Sequence, residues 1–395
     1  DGTSMTNREG VWRQQALHRV WKHQAQGMFE TRVQRALLGA AVGLSGQRPR
    51  SEIRTIARRA ALKLPYYELR WQQPDAWPRL ALHARPRLDQ AIERGRGVIL
   101  APAHFGAYRW LAIELVAQGY PVTLLVDPEN QDAVDQDVSM RMQEIFPELG
   151  WDRFDTVSSG DTSALWSLAR ALRKGRIVVM FADGNSGTEG RAAPKGALHI
   201  PFLGHTIRVR PGIAALAATT GASILPVYAH ASKRHHVARI DPEILRPTKE
   251  PKKVFINRAM TMLYQGLERE IERRPGDWEE WWLLPHWIVG RPNLPERCPP
   301  TRRLTLTGPS LVRRRLKLVD PGIWAIQLDQ QAEVLDLAQG SSLGNAPLLT
   351  DLIDACEQNL PVRQWLDRQA EPRDAKALLQ QLYRAGIVAL PRDAT

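Results

Sequence analysis

The chain holds only two cysteines, Cys298 and Cys356, in 395 residues. Neither stands in a metal-ligand spacing, which excludes a multi-bridge disulfide framework and favours a reducing compartment. Long apolar runs are missing as well. No stretch approaches the roughly 18 residues that cross a bilayer, so no membrane-spanning helix is expected. A secretory leader pattern is also lacking, and Asp1–Ser4, ahead of Met5, read as a cloning remnant. No phosphate-binding glycine loop, dinucleotide fingerprint or zinc motif occurs, nor any repeat of solenoid length.

Positive charge and tryptophan are plentiful. Lys and Arg number 54 against 42 Asp and Glu, a formal net charge of +12. That balance suits acidic partners: nucleic acid, an anionic membrane surface or an acidic carrier protein. Thirteen Trp stand against seven Phe and seven Tyr. Tryptophan fits the lipid–water boundary, and equally pockets and cores. The length and a hydrophobic fraction of 43% allow two or more domains with real cores.

Residues 8–45 read as helical. Trp12, Leu17, Val20, Trp21, Met28, Val33 and Leu37 recur near helical spacing, with Arg13, Arg19, Lys22, Arg32 and Arg35 between them. Such a basic helix either lies in a lipid interface or packs on the domain with its charged face in water. A second helix is predicted over 51–70, stopped at Pro65. Beyond Leu88 short apolar runs alternate with helices of about ten residues. Strands are expected at 98–101, 122–126, 177–181 and 223–228, and helices at 88–94, 108–118, 162–174 and 211–220. This alternation predicts an α/β fold with a mixed, mostly parallel sheet flanked by helices.

The strongest local signal is His104, placed directly after the buried run Val98–Ala101 in a turn expected to open a helix. Ligands of open α/β sheets collect at the carboxyl ends of strands. The helix start offers N–H groups and a positive dipole end for a developing oxyanion. A neutral imidazole there can take a proton from an attacking hydroxyl or amine.

Four blocks then follow in order: GRGVILAPAHFGAYRW (95–110), RIVVMFADGNSG (176–187), IPFLGHTIRVRPGIAALAATTGASILPVYA (200–229) and PGDWEEWWLLPHW (275–287). Together they resemble the lipid A late acyltransferase family, within the lysophospholipid acyltransferase superfamily, over roughly residues 50–290. The resemblance implies an α/β sheet with a basic or apolar groove, and transfer of an acyl group from a carrier thioester to a lipid-like acceptor. His104 matches that family's catalytic histidine, and Gly106 the glycine two residues on. The family's carboxylate, five residues after the histidine, is replaced here by Arg109. An arginine can neither accept a hydrogen bond nor a proton, and a cation beside His104 disfavours imidazolium.

Three resolutions stand open. A distant carboxylate takes over, with Asp183 after the strand at 177–181 the leading choice and Glu114, further along the helix, a weaker one. His104 works unaided on a better nucleophile such as an amine. Or catalysis is lost and the fold holds an acyl chain or carrier, a silent binding protein. Among other substrate-binding candidates, Phe202 and Gly204 mark the turn of the third block, and Arg208 and Arg210 follow it, where cations suit a phosphate or phosphopantetheine. Asn185 sits in a polar loop fit either for a pocket lining or for an ordinary turn. Trp278, Trp281, Trp282 and Trp287 suit a groove wall, an interfacial belt or a core. His235 and His236 are expected to face solvent.

Four prolines in residues 291–303 mark a linker. The organisation expected is a basic helix at 5–50, the acyltransferase-like domain at 51–290, a linker at 291–317 and a small α+β unit at 318–395. That last unit, ending LLQQLYRAGIVAL, resembles the winged-helix peptide-binding domain of the pyrroloquinoline quinone biosynthesis D family. The likeness implies capture of a peptide strand by edge addition; a structural appendage fits equally. The function expected is acyl transfer from an acyl carrier protein or coenzyme A thioester, with no bound cofactor and no metal. The location expected is cytoplasmic, peripheral on the inner face of an anionic membrane. Nucleic-acid binding rests on charge and the winged-helix likeness alone and ranks last.

Overall fold

A computed structural model describes residues 26–71, 80–128, 147, 153–184, 196–231, 236–289, 314–318, 320, 323–328, 331–336, 341–344, 347–385 and 387–391. In chain order the first elements are helices α1 (Gln26–Leu44) and α2 (Arg50–Trp71), strand β1 (Leu80–His83), α3 (Arg85–Glu93) and β2 (Val98–Gly106). A 3-10 turn at Tyr108–Trp110 leads to α4 (Leu111–Ala117), β3 (Val122–Val126), β4 (Phe154–Ser158), α5 (Ala164–Arg173) and β5 (Ile177–Val179). The hairpin β6 (Leu198–Phe202) and β7 (His205–Val209) precedes α6 (Gly212–Thr220), β8 (Ser223–Ala231), β9 (His236–Ile240) and α7 (Lys252–Arg273). The Trp-rich segment forms two 3-10 turns, Pro275–Asp277 and Glu280–Leu283, and the single turn α8 (Leu284–Trp287).

Seven strands form one sheet in the order β1-β9-β8-β2-β5-β3-β4, parallel except where β8 and β9 pair as an antiparallel hairpin. The mostly parallel sheet flanked by helices is thus as expected. β2 shows why it sits near the centre. Val98 and Leu100 pack into one apolar cluster, while Ile99, Ala101, Ala103 and Phe105 pack into the other. With side chains alternating along a strand, both faces are therefore covered.

Three local expectations need correction. β2 does not end at Ala101; it runs to Gly106, pairing with β8 across an irregularity between Pro102 and Gly106. His104 therefore stands within the strand, and a 3-10 turn separates it from α4, which is only seven residues long. The oxyanion role expected of a helix start beside His104 loses its support. α2 passes through Pro65 rather than stopping there; the missing N–H removes one intrahelical bond but leaves the rest of the ladder. His236, expected in solvent, opens β9 between β1 and β8 and is buried. His235 lies outside the described residues, as does the stretch 8–25 of the N-terminal helix.

The described part of that helix joins the main core. Leu37, Ala40, Ala41, Val42 and Leu44 are buried in the same cluster as Trp278, Trp281 and Trp287. Close approach is possible because Gly39 carries no side chain: a Cβ there would lie 1.6 Å from the carbonyl oxygen of Trp281.

The C-terminal unit comprises β10 (Lys317–Leu318), a meander of β11 (Ile323–Leu328), β12 (Gln331–Asp336) and β13 (Ser341–Gly344), then α9 (Pro347–Glu357), α10 (Val362–Leu366), α11 (Pro372–Arg384) and β14 (Val388–Ala389), which pairs with β10. It has its own apolar cluster around Leu352, Ile353, Trp365 and Leu379. Two contacts latch it to the larger body. Trp324 is buried with the main core, its indole N–H donating to Ser45 Oγ at 3.2 Å and the Arg50 guanidinium lying 3.9 Å over its ring. Glu357 accepts hydrogen bonds from both Arg50 and Arg54, at 2.8 to 3.1 Å.

Candidate active site

The carboxyl ends of β2 and β5 lie side by side, because these strands pair in parallel. The backbone ladder continues past β5, with Met180 N–H donating to Leu100 O and Ala182 N–H to Pro102 O. Asp183, next in the chain, arrives beside His104. Its carboxylate is wholly buried and lies 2.9 Å from His104 Nδ1. The same carboxylate accepts the His104 backbone N–H at 3.0 Å and the Trp278 indole N–H at 2.9 Å. These donors orient Asp183 before any ligand arrives. In the neutral imidazole with Nδ1–H donating to Asp183, the lone pair of His104 is on Nε2, for which no partner occurs among the described residues.

Alternation along β2 puts His104 on the face opposite Phe105, and its ring stacks on Phe181 with centroids 4.3 Å apart. Tyr108 meets it edge-on at 5.0 Å. The imidazole side chain is 22% exposed. It is therefore held on two sides and reachable at its edge.

The Trp-rich segment completes the floor. Phe105 and Trp278 form an antiparallel bridge, and Glu279 N–H donates to His104 O at 2.9 Å. This backbone docking brings two acids to the site. Glu280 Oε1 lies 3.5 Å from His104 Nδ1. Glu279 accepts the Tyr108 hydroxyl at 3.1 Å and pairs with Arg109 at 3.8 Å. Burial works against imidazolium, but Asp183, Glu280 and Glu279 outweigh it and raise the His104 pKa from 6.5 to about 9. Burial, opposed by His104, pushes Glu280 up from 4.5 to about 7, and Glu279 is raised by the same desolvation.

The predicted site residues separate into three groups. His104 and Asp183 are in direct contact. Gly106 and Arg109 flank them. Gly106 has φ +64°, and a Cβ on it would lie 1.9 Å from Ala229 O, so it shapes the strand junction. Arg109 faces Glu279. The rest stand off. Phe202 is a core residue, edge-on to Trp278 at 5.7 Å. Leu203 and Gly204, both at positive φ, form the two-residue turn of the β6–β7 hairpin. Arg208 is in β7, not in a turn, and neither it nor Arg210 shows a bond to His104 or Asp183. Asn185 lies outside the described residues. Glu114 accepts a hydrogen bond from Gln118, the residue that follows its helix. Trp278, Trp281 and Trp287 are core, while Trp282 is exposed. The acids at 279 and 280 were missed; two adjacent glutamates inside a Trp-rich block were the available signal.

Residues 72–288 match the family model described as bacterial lipid A biosynthesis acyltransferase. The chain belongs to that family. Within this acyltransferase family it is similar to the phosphatidylinositol mannoside acyltransferase of Mycolicibacterium smegmatis, 25% identical over 202 residues, which are 51% of this chain and 60% of that protein. It is likewise similar to the Mycobacterium tuberculosis protein of the same name, 23% identical, over 51% of this chain and 58% of the relative. The chain thus spans about three fifths of the length of the curated relatives it matches. Among the described residues no helix is long and apolar enough to cross a membrane, and no group of side chains is arranged to hold a metal ion.

Proposed function

We propose that this protein transfers a fatty acyl group from an acyl carrier protein or coenzyme A thioester to a hydroxyl or amine of a lipid-like acceptor. The observation behind this is the imidazole of His104, with Nδ1 on buried Asp183 and Nε2 without a partner among the described residues. Nε2 takes the proton of the acceptor O–H or N–H as that atom bonds to the thioester carbonyl carbon. The tetrahedral adduct then collapses, the carbon–sulfur bond breaks, and the thiolate leaves with the proton held on Nε2. Asp183 holds the tautomer and steadies the imidazolium formed in between.

Family membership supports acyl transfer in lipid synthesis, and the relatives' name favours a phosphoglycolipid acceptor. The net charge of +12 suits an acidic carrier and an anionic bilayer surface. In the C-terminal unit, β13 pairs only with β12 among the described residues, which leaves an edge fit for a peptide strand of a partner. Arg109, at the position of the family acid, favours a second reading: a silent protein that binds an acyl chain or carrier.

Mass spectrometry of the protein incubated with acyl carrier or coenzyme A thioesters and a lipid extract separates the two. Acylated lipid is expected with the wild type and none with His104→Ala. Equal turnover by His104→Ala refutes the base role, and bound lipid without thioester consumption establishes the silent reading.

A further inference from the structure

The Trp-rich segment gives His104 a second acid that the sequence resemblance does not supply. Glu280 Oε1 is 3.5 Å from Nδ1, the atom that also faces Asp183. Its other oxygen, Oε2, is buried and has no hydrogen-bond partner among the described residues. A buried carboxylate oxygen left unpaired favours the protonated form, because burial penalises the charge while a neutral carboxyl loses less. Glu279, its neighbour, is occupied differently, held between the Tyr108 hydroxyl and Arg109. The cation at position 109 therefore faces an acid from the Trp-rich segment instead of being an acid itself.

We propose that Glu280 is a positioning and proton-sharing residue for His104, which acts beside Asp183 and sets whether the imidazole rests neutral or charged. This rests on the acyl-transfer reading of the same site. Two resting forms hold the same number of protons. In one, Glu280 is ionised and His104 carries protons on both nitrogens, so it cannot act as a base. In the other, Glu280 is protonated, His104 keeps only Nδ1–H toward Asp183, and Nε2 is free to take a proton. Exchange between them passes through solvent at the exposed edge of the ring.

Every charged or titratable group facing His104 bears on this balance. Asp183, after β5, holds Nδ1. Glu279 and Glu280 come from the Trp-rich segment, and Tyr108 and Arg109 from the 3-10 turn after β2. Lys63 of α2 acts from behind through Asp277 and Glu279. The raised values of Glu280 and His104, about 7 and about 9, make the form with ionised Glu280 and doubly protonated His104 the more populated of the two near neutrality, and the base-competent form the minor one.

Glu280→Gln copies the neutral carboxyl permanently. An ion pair at this distance, in a site between water-like and protein-like screening, corresponds to about one to three pH units. The imidazole of His104 in the full chain, followed by NMR with His104→Gln for assignment, is expected to titrate lower by that amount in Glu280→Gln. Glu280→Asp, with the carboxylate drawn back, moves it the same way by less and serves if the amide variant does not fold. The acid limb of the kcat/KM profile for thioester turnover shifts down in parallel. An unchanged NMR midpoint in the folded variants overturns the proposal, whatever the activity. A lowered midpoint without turnover on any acceptor sustains the proton sharing and removes the acyl-transfer reading.

Discussion

Replacing Asp183 by Asn keeps the shape of the side chain, removes its charge and forces a choice that the geometry decides. The amide has one acceptor oxygen where the carboxylate has two. If its NH2 pointed at Trp278, two donors would face each other across the 2.9 Å now spanned by a hydrogen bond. A buried clash of that kind leaves unpaired groups costing about 1–3 kcal/mol. If the NH2 turns to His104 instead, the oxygen keeps the Trp278 indole and the His104 backbone N–H, which now reaches both carboxylate oxygens at 3.0 and 3.1 Å. The second orientation is cheaper, and it makes Nδ1 an acceptor. The imidazole proton then moves to Nε2, the position from which the base must act. The expected outcome is a folded protein, destabilised by about 1–2 kcal/mol in urea from loss of a charge-assisted bond. Its kcat/KM for thioester turnover falls by about 10^3-fold, somewhat less than the roughly 10^4-fold seen for such an exchange beside a triad histidine, because Glu280 remains. Nitrogen-15 NMR of His104 reads the tautomer directly. A proton still on Nδ1, or a loss of activity below tenfold, refutes the reasoning.

Gly106→Ala places a methyl group against Ala229 O at a positive φ. At least about 2 kcal/mol of stability is expected to go, which calorimetry would register as a fall of about 5 °C or more in Tm. For pH, both raised groups bind protons more tightly in the folded chain, so each stabilises it on the acid side and ceases to as pH rises. The Glu280 share is lost between about pH 4.5 and 7, and the His104 share between 6.5 and about 9. The stability difference between wild type and His104→Gln, from urea unfolding, should shrink by up to about 3 kcal/mol between pH 6 and 10; a constant difference contradicts the raised value.

The sheet was legible because parallel strands buried on both faces leave compact apolar runs between helices. The run at 122–126 is β3 with the same ends, and those at 98–101 and 223–228 lie inside longer strands. What extends β2 to Gly106 is tertiary: pairing with β8 and docking of Trp278 on Phe105. Asp183 was reachable by reasoning, since the ends of neighbouring parallel strands meet. Glu280 was not, because it comes from a segment 176 positions beyond His104 whose placement depends on that docking. Arg208 lies in a run, His205–Val209, whose Thr206, Ile207 and Val209 and alternating burial are a local strand signal. The turn before it is the part sequence does not announce, since a leucine, Leu203, stands there at positive φ. Its N–H donates to Glu268 of α7, a partner remote in sequence.

The Trp324 and Glu357 latch has a consequence for how the chain holds together. The joint between the smaller unit and the larger body does not depend on peptide bonds alone: an indole sits in the larger unit's core, and one carboxylate spans two arginines of α2. A single cut between residues 289 and 314 would thus yield two fragments that behave as a non-covalent heterodimer and comigrate on size exclusion. Co-expressing the halves as separate chains then becomes a practical way to alter one unit while the other stays intact.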